Sequence, residues 1–234
     1  MKIVITLCVL AAFILSTTVW AGTYRDDFEN EKDFIKDKQD RVWDEDIAFF
    51  TWENASIKGM DNGPVLWGII TGDYSWKDYT VECRIKPIQN NGYMGLYLRR
   101  PCMGCNPCYT FALSVNKAVI YRDFGEKWGG LTLDSSPFEA KIDTWYSVKA
   151  IVQGKQLEFY IDNKLVAKAE NDVYLTGKAG FIIDDGEALF DDFVMTGPEV
   201  KDGGHWDPKA HIQPNPVEPQ NKLEMTWGEI KCGK

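Results

Sequence analysis

The sequence predicts an all-β protein, a two-sheet antiparallel sandwich, and three observations lead there. Apolar residues recur at every second position in successive short runs, the mark of strands with one face in a core and the other toward water. Gly, Asn, Asp and Pro punctuate those runs at close spacing, as turns between strands require. No stretch of about a dozen residues keeps a capped i, i+3, i+4, i+7 apolar pattern, and Asn30 to Asp40 predicts one helical turn at most.

From the amino end, Met1 to Ala21 has a single charge, Lys2, an apolar run from Ile3 to Leu15, and Val19-Trp20-Ala21 before Gly22. This predicts a signal peptide over 1–21, cleaved after Ala21, because the run is short for a bilayer span and small residues suit the cleavage site. Cys8 lies inside the run, which argues against a lipoprotein anchor, and no other stretch predicts a membrane span. The expected location is therefore secreted, extracellular or periplasmic. The chain has a formal net charge of −9, and loss of Lys2 makes the mature protein one unit more negative. That excess disfavours nucleic acid and anionic membrane surfaces as partners. An aromatic content of 13% with 9 Trp is ample for one core, so a single main domain is expected.

Arg25 to Phe28 predicts a first strand, followed by short strands at Ile47 to Trp52 and Ala55 to Gly59 and a longer one at Pro64 to Ile70. In Tyr79 to Lys86, Tyr79, Val81, Cys83 and Ile85 share one face. In Tyr93 to Arg100, Met94, Leu96 and Leu98 face the core, so Tyr93, Tyr97 and Arg99 face away. Tyr109 to Val115 turns Phe111, Leu113 and Val115 inward and Thr110, Ala112 and Ser114 outward, small residues that predict an open floor beside Tyr97 and Arg99. Val119 to Phe124 predicts another strand, and Gly125 to Gly130 a loop holding Trp128.

Trp145 to Ala167 has the clearest pattern. Val148, Ala150 and Val152 alternate, Gln153-Gly154-Lys155 turns the chain, and Leu157, Phe159 and Ile161 alternate again. Asp162-Asn163 then predicts a tight hairpin, because both residues tolerate positive φ, and Lys164 to Ala169 returns as a third strand. This stretch resembles the closing hairpins of the concanavalin A-like lectin/glucanase superfamily, in particular its laminin-G-like members. The resemblance implies the jelly-roll form of the sandwich. Ala179 to Asp184 and Ala188 to Met195 add two strands around Asp185-Gly186, closing a domain of residues 22–198 near Gly197-Pro198. Residues 199–222, rich in Pro, Gly and charge, predict a linker. The tail, 223–234, regains Leu223, Met225, Trp227 and Ile230 and could dock on the sandwich or on a protein partner.

Five cysteines follow the signal peptide, an odd number that cannot all pair within one chain. Cys83 shares a core face and is expected as a buried free thiol. Cys102, Cys105 and Cys108, spaced C-x2-C-x2-C, are expected to form two disulfides with Cys232. Zinc on the same four thiolates is the alternative, although the second C-x2-C knuckle of such sites is absent. An iron–sulfur arrangement would need a cysteine where Ala112 stands.

Asp26 and Asp27 near one end of the domain, and Asp191 and Asp192 near the other, sit in terminal strands that a sandwich brings close together. Neighbouring carboxylates repel unless a cation intervenes, and oxygen ligands select Ca²⁺ as the expected structural ion. The pattern also resembles the terminal strands of calcium-containing lectin-like and carbohydrate-binding sandwiches. Solvated edge carboxylates are the alternative.

His205 and His211 are the only histidines and fall in the predicted linker, which leaves Ser-His and Cys-His chemistry without a basis in the domain. Glycoside hydrolysis needs only two carboxylates. The superfamily's laminarinase-like enzymes place theirs as E-x-D-x-x-E, which Glu170-Asn171-Asp172 begins and Leu175 ends. The strand Gly95 to Arg99 resembles the 3-keto-disaccharide hydrolase-like branch, whose partner acid would fall near Thr110 or Ala112. No catalytic set is therefore assigned. The expected function is non-catalytic binding of a glycan or polysaccharide, with Tyr93, Tyr97 and Trp128 stacking on sugar rings and Glu82 and Arg99 bonding hydroxyls. The alternatives are a hydrolase of the same fold, with Glu82 or Asp123 the nearest acids, and an adhesive protein-binding module.

Overall fold

The computed structural model describes residues 21–34, 43–45, 47–63, 67–102, 107–124 and 130–205. The signal peptide up to Trp20, the linker beyond His205, the tail, Trp128, Cys105 and Cys232 lie outside the described residues. The strands are β1 (Gly22–Asp26), β2 (Asp44–Glu45), β3 (Phe50–Trp52), β4 (Ile57–Asp61), β5 (Trp67–Thr71), β6 (Tyr79–Arg100) and β7 (Pro107–Ser114). They continue with β8 (Lys117–Phe124), β9 (Gly130–Pro137), β10 (Tyr146–Gln153), β11 (Gln156–Ile161), β12 (Lys164–Glu170), β13 (Lys178–Gly197) and β14 (Gly203–His205). One helical turn, Glu31–Phe34, and one 3-10 turn, Ile47–Phe49, complete the described elements.

The alternation of Val148, Ala150 and Val152 against Leu157, Phe159 and Ile161 makes β10 and β11 pair in the predicted register, with Val148 opposite Ile161. Asp162 and Asn163 both take positive φ, 48° and 63°, as a two-residue hairpin needs. What the sequence divides into four strands is two. β6 and β13 run 22 and 20 residues, and each serves both sheets. The amino half of β6 pairs with β10 and the carboxyl half of β13, giving a first sheet in the order β12-β11-β10-β6-β13-β1-β14. The carboxyl half of β6 pairs with β7 and the amino half of β13, and β8, β9, β5 and β2 extend this second sheet. β4 pairs with the middle of β13, and β3 with β4.

The sheets meet across the core, where Phe111 of β7 lies edge-on to Phe159 of β11 with ring centres 5.9 Å apart. Under β1, Trp43 stacks on Phe181 at 5.1 Å and meets Phe193 edge-on at 5.0 Å, and Phe181 stacks on Phe190 at 4.5 Å. Each such pair adds about 0.5–1.5 kcal/mol beyond its area burial. At the side of the sandwich β9 and β12 face each other without a ladder. Instead Ser136 Oγ donates to the Val166 carbonyl at 2.6 Å, and Asp134 Oδ2 accepts the Lys168 N–H at 2.8 Å.

The domain also runs past its expected end. Val200 is buried in the core, and Gly203–His205 adds a short strand parallel to β1, so residues 199–205 belong to the fold and not to a linker. The apolar contact of Val200 and the backbone partners offered by β1 outweigh the Gly-rich composition.

Candidate functional site

Four irregularities in the β6/β13 ladder decide which side chains share a face. Tyr97 pairs with Gly180 and Arg100 with Lys178, so β6 holds one residue more than β13 here. Arg99 takes φ 54°, and the bulge hands the outer face from Arg99 to Arg100. A second bulge lies on β13, where Asp191 pairs with Arg84 and Val194 with Glu82, and Asp192 takes φ 53°.

The first bulge removes Arg99 from the expected ligand set. Its side chain is 1% exposed, donating from Nε to the Lys77 carbonyl at 2.9 Å and from Nη1 to the carbonyls of Gly154 at 2.8 Å and Tyr174 at 3.1 Å. Nη2 reaches Asp78 at 3.1 Å, and the Arg99 backbone N–H donates to Tyr79 Oη at 2.6 Å. Arg99 is thus a clamp on three loops. Tyr97 keeps the predicted parity, opposite to Leu96 and Leu98, yet it is fully buried in a small second cluster with Ile70, Cys108 and Ile182. A Cβ on Gly68 would come within 2.2 Å of the Tyr97 ring, so the ring lies against β5. The expected open floor of Thr110, Ala112 and Ser114 is buried as well. Glu82 is exposed, but on the outer face of the first sheet, across the sandwich from Tyr93 and Tyr97.

The second bulge gives two of the four acids expected at a Ca²⁺ site a protein partner. Because Asp192 is the extra residue, it and Asp191 both reach Arg84: Nη2 pairs with Asp191 Oδ2, and Nε lies 2.6 Å from Asp192 Oδ2. Arg84 thus brings one positive charge to these two acids. Burial, then the Asp192 charge, still pushes the Asp191 carboxyl up to about 6. Asp26 turns inward, accepting the Trp43 Nε1–H at 2.8 Å and the Phe28 N–H at 3.2 Å, with His205 Nδ1 3.9 Å away. Asp27 accepts the Glu29 N–H. Among the described residues no cluster of three or more His, Cys, Asp or Glu side chains could hold a metal ion.

Cys83 and Cys108 are free and buried. Free Cys108 corrects the predicted pairing, since β7 begins at Pro107 and carries the thiol into the small second cluster. Burial raises both thiols well above the ordinary range. Cys102 is disulfide-bonded.

What remains on the outer face of the second sheet forms two groups. Around β8, Tyr93 and Tyr121 meet edge to face at 5.4 Å with their hydroxyls 2.7 Å apart. Lys117 Nζ donates to Tyr121 Oη at 3.2 Å and lies 5.6 and 5.5 Å from the two ring centres. All three side chains are half-buried. Asp184, in register with Tyr93, has its carboxyl pushed up to about 6 by burial and by the charges of Asp61 and Asp185. The other group centres on Asp123, whose Oδ2 accepts the Thr110 hydroxyl at 2.5 Å, with Cys108 Sγ at 3.9 Å. Burial raises this carboxyl, while the Arg100 charge opposes the shift. The Arg100 guanidinium stacks 5.0 Å from the Tyr97 ring centre. Sequence reasoning missed Tyr121, Lys117 and Asp184; the parity of β8, counted from buried Ala118 and Ile120, could have placed the first two outward.

No family model matches the chain, and no curated protein matches it by sequence. Among solved structures it is similar to carbohydrate binding module CBM66 from Bacillus subtilis, at 18% identity and TM-score 0.52 over 60% of this chain and 86% of that one. It is also similar to a Bacillus subtilis protein of unknown function with a galectin-like fold, at 14% identity and TM-score 0.54 over 74% and 94%. The potassium-bound form of the Emp46p carbohydrate recognition domain matches at 10% identity and TM-score 0.51 over 77% and 97%. At such identities the likeness establishes the fold, a lectin-like β-sandwich.

Proposed function

We propose that the protein is a secreted glycan-binding sandwich whose ligand face is the outer surface of the second sheet. The observation that supports this most is the Tyr93–Tyr121 pair: two half-exposed rings held by a hydroxyl–hydroxyl bond, beside a cation, on a rigid sheet. Sugars bind by stacking their C–H faces on aromatic rings while hydroxyls bond polar neighbours, and a preordered pair loses little freedom on binding. The names of the similar structures, a carbohydrate binding module and a carbohydrate recognition domain, agree with this reading. Secretion fits a fold whose first strand begins at Gly22, directly after the predicted cleavage point. Amino-terminal sequencing of exported protein tests it. For binding, a glycan array with Tyr121→Ala is the test: loss of signal at an unchanged melting temperature supports the site, and an unchanged signal rejects it.

A second reading rests on Asp123. A half-buried carboxyl with a raised pKa, beside a guanidinium on the same face, is what a general acid requires, so a hydrolase of the 3-keto-disaccharide hydrolase-like branch is the alternative. Turnover of a glycoside panel that is abolished by Asp123→Asn favours it, and no turnover by the wild type rejects it.

A further inference from the structure

The proposed face has a charge pattern that narrows the ligand. Among the described residues Lys117 forms no ion pair with a carboxylate; its ammonium is held by the hydroxyls of Tyr121 and Tyr93 and by the two ring faces. An ammonium has three donors, and the two tyrosine hydroxyls take two, which leaves one for a ligand. Across the sheet the register runs from Asp184 on β13 to Tyr93 on β6 and Ser114 on β7, with Lys117 following on β8. Three strand spacings, about 14 Å, separate the backbones of Asp184 and Lys117, and the ammonium reaches back to 5.6 Å from the Tyr93 ring centre. The face therefore has a cation at one end, an acceptor carboxylate at the other and the Tyr93 ring between, with Tyr121 beside Lys117 on β8.

Resting on the glycan-binding reading, we infer that the site takes an acidic glycan, with a uronate carboxylate on Lys117 and the hydroxyls of a neighbouring neutral sugar on Asp184. A carboxylate on Lys117 gains a charge-assisted hydrogen bond that a neutral sugar cannot form. The same anion at the opposite end would meet the carboxylate of Asp184, so the arrangement fixes the direction of the chain across the strands. The protein's overall negative charge does not oppose this strongly, since charges farther than about 8 Å are largely screened at physiological ionic strength.

The test is titration with a tetrasaccharide of alternating glucuronate and neutral hexose units, beside its carboxyl-reduced counterpart. Wild-type protein should bind the acidic form about ten- to a hundredfold tighter. Lys117→Gln should bring the two forms to equal affinity, and Lys117→Arg should retain most of the preference. Equal affinity of the wild type for the two forms overturns the inference and leaves the glycan reading standing. A preference that survives Lys117→Gln also overturns it. If neither form binds, the inference falls, and a blank glycan array alongside brings down the glycan reading with it.

Discussion

Replacing Arg99 with Ala should unfold the sandwich far more readily without touching the ligand face. The guanidinium donates to three backbone carbonyls, those of Lys77, Gly154 and Tyr174, and is 1% exposed. Its pairing with Asp78 counts for little, because that carboxylate is 44% exposed. A buried acceptor that loses its donor costs about 1–3 kcal/mol, and water admitted by the shorter side chain recovers part of it, so the three together cost ~3–5 kcal/mol. For a domain of this size that is a fall in melting temperature of about 6–20 °C. Urea unfolding followed by tryptophan fluorescence measures the loss, and glycan binding by the folded variant should persist. Arg99→Gly separates the two contributions: it loses the same donors but relieves the φ of 54°, so it should be about 1 kcal/mol more stable than the Ala variant. A loss below about 1 kcal/mol in Arg99→Ala would refute the clamp, since it would mean that the three carbonyls are satisfied without it.

Other expectations follow from the same geometry. Cys83 and Cys108 should resist alkylation in the folded protein and react after denaturation without reductant, whereas Cys102 should react only after reduction; peptide mapping that finds Cys108 in a disulfide contradicts this. Asp184 and Asp191 titrate near 6 in the folded protein, above their unfolded value, so the folded state binds more protons between about pH 4 and 6, and stability should fall as pH rises through that window. Asp184→Asn should flatten part of that slope and raise stability at pH 7 by an amount on the order of 1 kcal/mol after solvent screening; an unchanged pH profile counts against the assignment. Because Arg84 already pairs with both Asp191 and Asp192, a chelator should leave the melting temperature unchanged, and a drop of several degrees would point to a bound cation.

The fold was legible because period two survives in nearly every strand: Leu96 and Leu98 are buried as their spacing requires, and so are Val148, Ala150 and Val152. The site was less legible because parity holds only between bulges. One extra residue at Arg99 moves a guanidinium from the outer face into a loop clamp, and one at Asp192 sets two acids on the same arginine, and neither position bears a Gly to announce it. Asn90-Asn91-Gly92 reads as a strand end, yet the backbone keeps its ladder through a bulge and lets one strand serve two sheets. β9 escaped notice because it is mostly exposed and ends in Asp, Ser and Pro, residues that packing and not propensity holds in a strand. Exposure was the other blind spot. Alternation tells which face a side chain takes, but whether that face is covered, as it is over Tyr97, depends on elements distant in the chain.

The seam between β9 and β12 has a consequence for how the protein behaves in bulk. An unpaired strand edge is a template on which another chain can add, the first step toward fibrils. Here Ser136 and Asp134 occupy backbone groups of Val166 and Lys168 on the β12 edge, so two polar side chains do the work of a missing strand. They are part-buried at most, and their removal should cost little folding energy. Colloidal stability and folding stability thus reside in different residues of this chain: a Ser136→Ala, Asp134→Ala protein should melt close to the wild type yet scatter light on storage as its edges find one another.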